Sequence, residues 1–191
     1  MKRLIFPAAF AAVLTALPAA AELERYTVDP NHTFPSYEIG HFGYSLQRGR
    51  FDKTSGKITL DTGAKNGSAD VAIDTASIDT GHKKLEEHLR SDEFFDAARH
   101  PWLTFKSSSL AFDGDKVKSA TGDLTIHGVT RPVTLKVDNF ICSVNPMLKK
   151  KVCGAELTTT IKRSDFGMSA YLPGLADDVL LRINVEAIKD D

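Results

Sequence analysis

The sequence has no marked excess of either charge and lacks the common motifs of catalysis. Its 191 residues carry 24 Lys and Arg against 25 Asp and Glu, a formal net charge of −1. This balance does not point to nucleic acid or an anionic membrane surface as a partner. G-x-S-x-G, C-x-x-C and H-E-x-x-H are all absent, so no hydrolase nucleophile, redox pair or zinc-protease helix is indicated. There is no internal repeat, low-complexity tract or interdomain linker, and the length predicts one domain.

Long apolar runs are also missing, except at the start of the chain. Lys2 and Arg3 precede an apolar run from Leu4 to Leu17, and Ala19-Ala20-Ala21 follows. A cationic start, an apolar centre and small residues at the end are typical of a secretory signal peptide. The alternative is a membrane anchor, but the run falls short of the ~20 residues that a spanning helix needs. We therefore expect residues 1–21 to be removed, leaving an exported, soluble chain of residues 22–191 with a net charge of −3 once Lys2 and Arg3 are lost.

Cysteine is scarce, with only Cys142 and Cys153. In an exported protein such a pair is more often bridged than free. Asn145-Pro146 lies between the two and indicates a turn, which predicts a hairpin stapled at its base and stabilised by roughly 3 kcal/mol. A redox or metal pair is the alternative, but no His or acidic cluster lies between the cysteines.

Most of residues 22–191 alternate between apolar and polar side chains. The clearest alternating stretches are residues 36–41, 68–73, 123–127, 133–138, 157–162 and 179–186. A period of two over so many segments predicts antiparallel strands with one apolar face and one solvent-exposed face. Turn signals such as Asp61-Thr62-Gly63 and Asp113-Gly114-Asp115 separate the runs. About eight such strands indicate a closed barrel or a sandwich, and closure would remove exposed edges.

One segment departs from this alternation. Between Thr80 and Ala98, Leu85, Leu89 and Phe95 recur near helical spacing, which predicts one or two short helices inserted between strands. Pro101 then favours a restart as a strand through Trp102–Phe105.

The six histidines do not form an evident metal site. His82 and His88 are six residues apart, which does not stack two ligands on one helix face. His32 and His41 lack an evident third ligand, so we expect no native metal ion. Arg163-Ser164-Asp165-Phe166-Gly167 is interpreted as a strand end closed by a turn in which Gly167 takes a positive φ. An Arg163–Asp165 pair would be structural by default, with a ligand head group as the alternative.

Several motifs together resemble one known family. They include DPNH at 29–32, Y-x-I-x-H at 37–41, HLRSDEFFD at 88–96, GDLTIHGVTRPV at 122–133 and RSDFGM at 163–168. In this order, and over essentially all of residues 22–191, the chain resembles the YceI-like family of periplasmic, polyisoprenoid-binding proteins. It departs from the family pattern at Tyr37, where Phe is usual, and at His82-Lys83-Lys84. The cysteine hairpin is a feature of only some members.

The resemblance implies an all-β fold with a short helical insertion, an eight-stranded antiparallel lipocalin-like β-barrel. It also implies a long isoprenoid or quinone-like lipid as cargo in an apolar tunnel, with no enzymatic activity and no cofactor. Some relatives are linked to a membrane cytochrome b561, which makes that protein a candidate partner, and related barrels often pair, which leaves a homodimer open. The resemblance implies no nucleic-acid partner, and it implies that the chain itself is not an integral membrane protein.

Alternation and resemblance together assign the ligand-binding residues, although the face of any one strand remains open. Leu89, Phe94 and Phe95 are the candidate lid over one end, and His41, His88 and Arg163 are candidates for head-group contacts. Phe166 is a further aromatic candidate. The predicted tunnel wall consists of Tyr37, Ile39, Phe51, Val71, Ile73, Leu103, Phe105, Leu124, Ile126, Leu135, Ile161, Leu181 and Ile183.

Two other functions remain in competition with a carrier. An enzyme acting on a lipid or small substrate requires His41, His88 and Arg163 to meet around one cavity. A ligand-free stress-response or interaction protein requires a packed core and an exposed apolar patch away from the barrel mouth.

Overall fold

The computed structural model describes residues 23–191, apart from the side chain of Ser108. The predicted signal peptide, residues 1–21, lies outside the described residues. Within the described part, no helix is long and apolar enough to cross a bilayer.

The described chain is mostly β-structure, with one short α-helix, α1, at Lys83–Leu89. Two 3-10 turns occupy Thr75–Ser77 and Arg163–Phe166. The strands are β1 Glu24–Val28, β2 Phe34–His41, β3 Ser45–Phe51, β4 Thr54–Asp61, β5 Asn66–Asp74, β6 Ile78–Asp79, β7 Trp102–Asp113, β8 Lys116–Ile126, β9 Val129–Val144, β10 Lys151–Lys162 and β11 Leu175–Lys189.

The strand segments form a closed eight-stranded antiparallel barrel, which confirms the predicted fold class. Its ring runs β1-β4-β5-β7-β8-β9-β10-β11 and closes where Tyr26 of β1 pairs with Lys189 of β11. Towards its other end β11 changes partner and pairs with β2, from Asn184 opposite Phe34 to Leu175 opposite His41. β3 and then β6 extend the sheet beyond β2. The barrel is therefore closed by β1 at one end and widened by β2 and β3 at the other.

The helical insertion contains one of the one or two short helices that the sequence predicted. Only Lys83–Leu89 is α-helical, and the rest of the predicted segment up to Ala98 consists of turns. His82 caps the helix, accepting a hydrogen bond from the Leu85 backbone N–H at 3.2 Å. Asp96 has a φ of 45°, a left-handed conformation that ends any further helix. Pro101 precedes β7, as predicted.

Cys142 and Cys153 form the predicted disulfide. The two residues lie directly opposite each other in the β9–β10 pair. The bond therefore staples the base of the hairpin whose tip is residues 145–150, at the end of the barrel opposite α1. Gly167 ends the turn at Arg163–Phe166 with a φ of 80°, as the R-S-D-F-G pattern indicated.

Candidate functional site

The barrel encloses one large cavity of about 950 Å³. Its walls include alternate residues of the strands, for example Ile73 of β5, Leu135 of β9 and Leu181 of β11. Phe42 and Tyr171 also line it, and they are 54% and 51% exposed. The cavity therefore reaches the surface at the α1 end. Its volume lies near the top of the ~300–1,000 Å³ range of small-molecule sites.

All but one of the residues selected from the sequence lie on this cavity. The predicted wall residues, the lid residues Leu89, Phe94 and Phe95, and the head-group candidates His41, His88 and Arg163 all line it. Phe166 does not line this cavity; its side chain is buried in the core at 1% exposure. The 3-10 turn that contains Phe166 breaks the period of two, so the alternation of β10 does not extend to this residue. Whether the lining residues contact a ligand stays a prediction.

Sequence reasoning missed further parts of the wall. The same alternation that selected Ile161 and Leu181 also extends to strand residues that were not selected, namely Ile58, Leu157, Val179 and Val185. Met168 and Tyr171 come from the loop between the second 3-10 turn and β11. No periodic signal could have identified these two, because a loop has no fixed face.

The mouth is covered by aromatic side chains after α1. Phe95 packs edge-on against Phe51, with ring centroids 5.5 Å apart. Phe94 stacks on Tyr171 at 6.0 Å and meets the His88 ring edge-on at 5.0 Å. These contacts join the segment after α1 to the loop before β11, which is the arrangement a lid requires.

Polar groups at the mouth are largely engaged with the protein itself. The Nε2 atom of His88 lies 2.6 Å from Oε2 of Glu93. The Tyr171 hydroxyl donates to the same oxygen at 3.4 Å. The His41 ring contacts the Phe42 ring edge-on at 4.9 Å. For the His41 ring, in contrast, no hydrogen bond is found within the described residues.

Arg163 is a buried anchor of the loop before β11. Its side chain is buried, and Nε donates to the Ala176 carbonyl at 2.8 Å. Nη1 donates to the Met168 carbonyl at 2.8 Å. Nη2 donates to the carbonyls of Ala170 at 2.8 Å and Leu175 at 3.0 Å. Burial lowers the pKa of Arg163, and the Asp177 charge opposes that shift. Four of the five N–H groups of the guanidinium are used, which leaves little capacity for a head group.

The Arg163–Asp165 pair considered from the sequence is not found among the described ion pairs. Asp165 is exposed, and Asp177 performs the structural role instead. The Asp177 carboxylate accepts hydrogen bonds from the Ser164 backbone N–H at 2.9 Å and the Ser164 hydroxyl at 2.8 Å. The 3-10 turn is thereby tied to β11.

Tyr37 places a phenol in an otherwise apolar section of the wall. Burial raises its pKa to about 12, so the group is a neutral hydroxyl at physiological pH. The ring lies against Gly49, where an added Cβ would come within 2.6 Å of the hydroxyl oxygen. Glycine at this position therefore allows the Tyr37 ring to lie flat on β3.

Comparison with known proteins gives consistent matches over most of the chain. The family pattern described as a YceI-like domain matches residues 26–187. Protein YceI of Escherichia coli O157:H7 is 36% identical over 194 residues, covering 99% of both chains. A UPF0312 protein of Vibrio parahaemolyticus is 32% identical over 192 residues, covering 99% of this chain and 100% of the relative.

Solved structures with a similar fold include two from other bacteria. BcnA of Burkholderia cenocepacia has a TM-score of 0.70 and 30% identity, covering 83% of this chain and 98% of BcnA. A polyisoprenoid-binding domain from Saccharophagus degradans, implicated in plant cell wall breakdown, has a TM-score of 0.64 and 20% identity, covering 86% and 98%. At 20% identity the second likeness supports the fold alone.

Proposed function

Because the chain belongs to the YceI-like family, we propose that it is a periplasmic protein that carries a long isoprenoid lipid inside its barrel. The observation that carries this proposal is the cavity of about 950 Å³ with an almost wholly apolar wall. Leu103, Leu124 and Leu135 all line the cavity and are buried from solvent. A prenyl chain would complete the interior of the barrel in the way that side chains complete an ordinary core.

The energetics favour a long chain over a small metabolite. Each buried CH₂ contributes about 0.8 kcal/mol, so a five-carbon isoprene unit contributes roughly 4 kcal/mol at most. Association costs about 4 to 15 kcal/mol. Several units must therefore enter before binding is tight, and this requires an extended apolar tail. Tyr37 and His41 are the polar groups we assign to contacts with the head group.

The direct test is to identify the cargo. We expect organic extraction of the purified protein, followed by mass spectrometry, to release a prenyl lipid. Native mass spectrometry should show the corresponding mass on the intact protein. Protein that yields no lipid, and takes none up from added polyprenol or ubiquinone, would contradict the proposal.

A pair of neighbouring substitutions tests the position of the tail. Leu135 faces the cavity and Thr134, the residue before it on β9, is exposed. Leu135→Trp should reduce lipid uptake at least ~10-fold, because the indole would fill part of the cavity. Thr134→Trp should leave uptake unchanged. Both variants must retain the wild-type circular dichroism spectrum. Equal uptake by folded Leu135→Trp and wild type would reject this position for the tail.

Export is a separate part of the proposal. We expect the protein in the periplasmic fraction, with a mature chain that begins at Glu22. Edman sequencing of the fractionated protein tests both points. Recovery of the chain with residues 1–21 still attached would contradict cleavage.

One observation favours a second candidate function, the association of two copies of this chain as a homodimer. The hairpin tip exposes Met147 by 89% and Leu148 by 50%, next to Val144 at the end of β9, which is 66% exposed. These residues lie at the end of the barrel opposite the cavity mouth. A homodimer through this tip should appear by light scattering and should be lost in Met147→Asp. A monomeric wild type would exclude it.

An enzymatic role has weaker support. His41, His88 and Arg163 do line one cavity, as that hypothesis requires. His88 and Arg163 are engaged by protein groups, however, as their hydrogen bonds show. Recovery of chemically unchanged lipid after prolonged incubation would support a carrier, and a modified product would favour the enzyme. A cytochrome b561 partner stays a prediction from the family resemblance.

A further inference from the structure

A cluster of two half-buried imidazoles and a buried carboxylate lies outside the cavity wall, beside the lid. It consists of Asp96, His100 and His127, and one ligand atom from each lies within 4.8 Å of the others. From this geometry we propose that the cluster binds a divalent transition-metal ion of the class that prefers imidazole, such as Zn²⁺. Neither the family resemblance nor the expectation drawn from the histidine spacing included this site.

Local backbone structure brings two of the ligands together. The Asp96 carbonyl accepts hydrogen bonds from the backbone N–H groups of Arg99 at 3.0 Å and His100 at 2.8 Å. This single turn brings residues 96 and 100 close together. The His100 carbonyl is fixed in turn by the hydroxyl of Thr75, a fully buried residue, at 2.7 Å.

The third ligand arrives from the turn between β8 and β9. His127 and Gly128 have φ values of 52° and 74°, the positive angles of a two-residue hairpin turn. The His100 and His127 rings meet edge-on with centroids 5.0 Å apart. A Cβ at Gly128 would lie 2.6 Å from Cε1 of His100, so glycine allows this close approach. The sequence could not reveal the site because its ligands come from separate segments.

Two polar atoms of the cluster lack a hydrogen bond within the described chain. Nε2 of His127 and Oδ2 of Asp96 are buried without a hydrogen-bond partner, and Asp96 as a whole is 4% exposed. Arg99 Nη2 does lie 2.5 Å from this Oδ2 as an ion pair, but the Arg99 side chain is 73% exposed. A guanidinium on such a side chain can withdraw into solvent when a metal ion replaces it.

The donor set suits the proposed ion. Two imidazole nitrogens and one carboxylate oxygen are ordinary Zn²⁺ ligands, with a water in the fourth position. Ligand atoms around tetrahedral Zn²⁺ lie about 3.3 Å apart, given bond lengths near 2.0–2.1 Å. Ligand atoms that lie within 4.8 Å of one another would therefore have to approach by at most about 1.5 Å, which small rotamer changes supply. The bound ion would join the loop before β7 to the β8–β9 turn, immediately after the lid residues.

The test uses the untagged, chelator-treated protein with ZnCl₂ and CoCl₂ as probes. Calorimetry should show one Zn²⁺ per chain, and Co²⁺ should give visible absorption typical of a low-symmetry nitrogen-oxygen site. A hundredfold excess of Zn²⁺ over its Kd should raise the Tm by about 5 to 10 °C. No uptake above that of a buffer blank would overturn the proposal.

Variants locate the ion and separate ligation from folding. His127→Asn tolerates the positive φ, and His100→Gln alters a half-buried side chain. Each should weaken Zn²⁺ binding at least about tenfold. The control His32→Asn should not, although His32 lies in the other group of candidate ligands, with Asp29 and Glu186. Loss of binding in His32→Asn with retention in His127→Asn would overturn the assignment.

A further variant distinguishes a metal ligand from a structural carboxylate. Arg99→Ala removes the cation that competes for Asp96, so it should tighten Zn²⁺ binding several-fold. A purely structural Asp96–Arg99 pair predicts no such gain. Weaker Zn²⁺ binding in folded Arg99→Ala would contradict the proposed geometry.

Discussion

The Tyr171 ring stacks on the Phe94 ring, with centroids 6.0 Å apart and planes 13° from parallel. This contact joins two loops that are distant in sequence and that both line the mouth of the cavity. Glu93 strengthens the junction, because its carboxylate contacts both His88 and Tyr171. The mouth is therefore covered in part by a few side-chain contacts rather than by continuous sheet.

Removing the stack should loosen the mouth. Aromatic pairs contribute about 0.5–1.5 kcal/mol beyond the area they bury, so Tyr171→Ala should speed release of a fluorescent lipid about 2- to 10-fold. Stopped-flow displacement measures this rate. Tyr44→Ala is the matched control, because Tyr44 is 90% exposed. Identical release rates for Tyr171→Ala and wild type would show that the Tyr171–Phe94 stack does not control lipid release through the mouth.

Replacing Arg163 should destabilise the fold even when the charge is kept. Lysine cannot reproduce the planar fork that reaches four carbonyls. We expect Arg163→Lys to lower the free energy of unfolding by about 2 to 4 kcal/mol, measured by urea denaturation. The control Arg182→Lys affects an exposed pair with Glu38 and should cost under ~1 kcal/mol. Comparable losses in the two variants would mean that the four carbonyl bonds matter little.

Reduction of the disulfide should also lower stability. The bridge closes a loop with a sequence separation of 11, so its loss should cost about 3 kcal/mol. Urea denaturation of wild type with and without dithiothreitol measures the difference. The double variant Cys142→Ser, Cys153→Ser should match the reduced protein and should not respond to dithiothreitol. A reduced protein as stable as the oxidised one would contradict the expectation.

Glu24 should make stability depend on acid pH. Burial tends to raise its pKa, but hydrogen bonds and ion pairs with Lys151, Lys189 and Tyr26 lower it from 4.5 to about 2. Because the folded state lowers this pKa, the stabilisation is complete above pH 4.5 and is lost as the pH falls towards 2. It amounts to at most about 3 kcal/mol.

The variant Glu24→Gln isolates this contribution from the other carboxylates. The difference in unfolding free energy between wild type and Glu24→Gln should be constant above pH 4.5. It should then shrink as the pH approaches 2, where the wild-type side chain also becomes neutral. A difference that does not change over this interval would show that Glu24 keeps an ordinary pKa.

Much of the barrel wall could be predicted from the alternation of residues. Leu135 and Leu181 were assigned to the interior because each lies on the apolar face of a regular strand, and the structure puts both on the cavity. Phe166 was selected as an aromatic residue beside a strand and not by alternation, and it lies in a 3-10 turn away from the cavity wall. Helical spacing between Thr80 and Ala98 predicted one or two short helices, and the structure has one, at Lys83–Leu89.

The sequence by itself determined the antiparallel strands, the hairpin disulfide and the apolar face, because these depend on local periodicity and on the positions of two cysteines. Only the tertiary structure decided that β11 would pair with β1 at one end and with β2 at the other. It also decided that the Arg163 guanidinium would donate its hydrogen bonds to backbone carbonyls. In the same way it decided that Asp96 and His100 would lie close to His127. These outcomes depend on contacts between segments far apart in the chain, and no local pattern encodes how such segments approach each other.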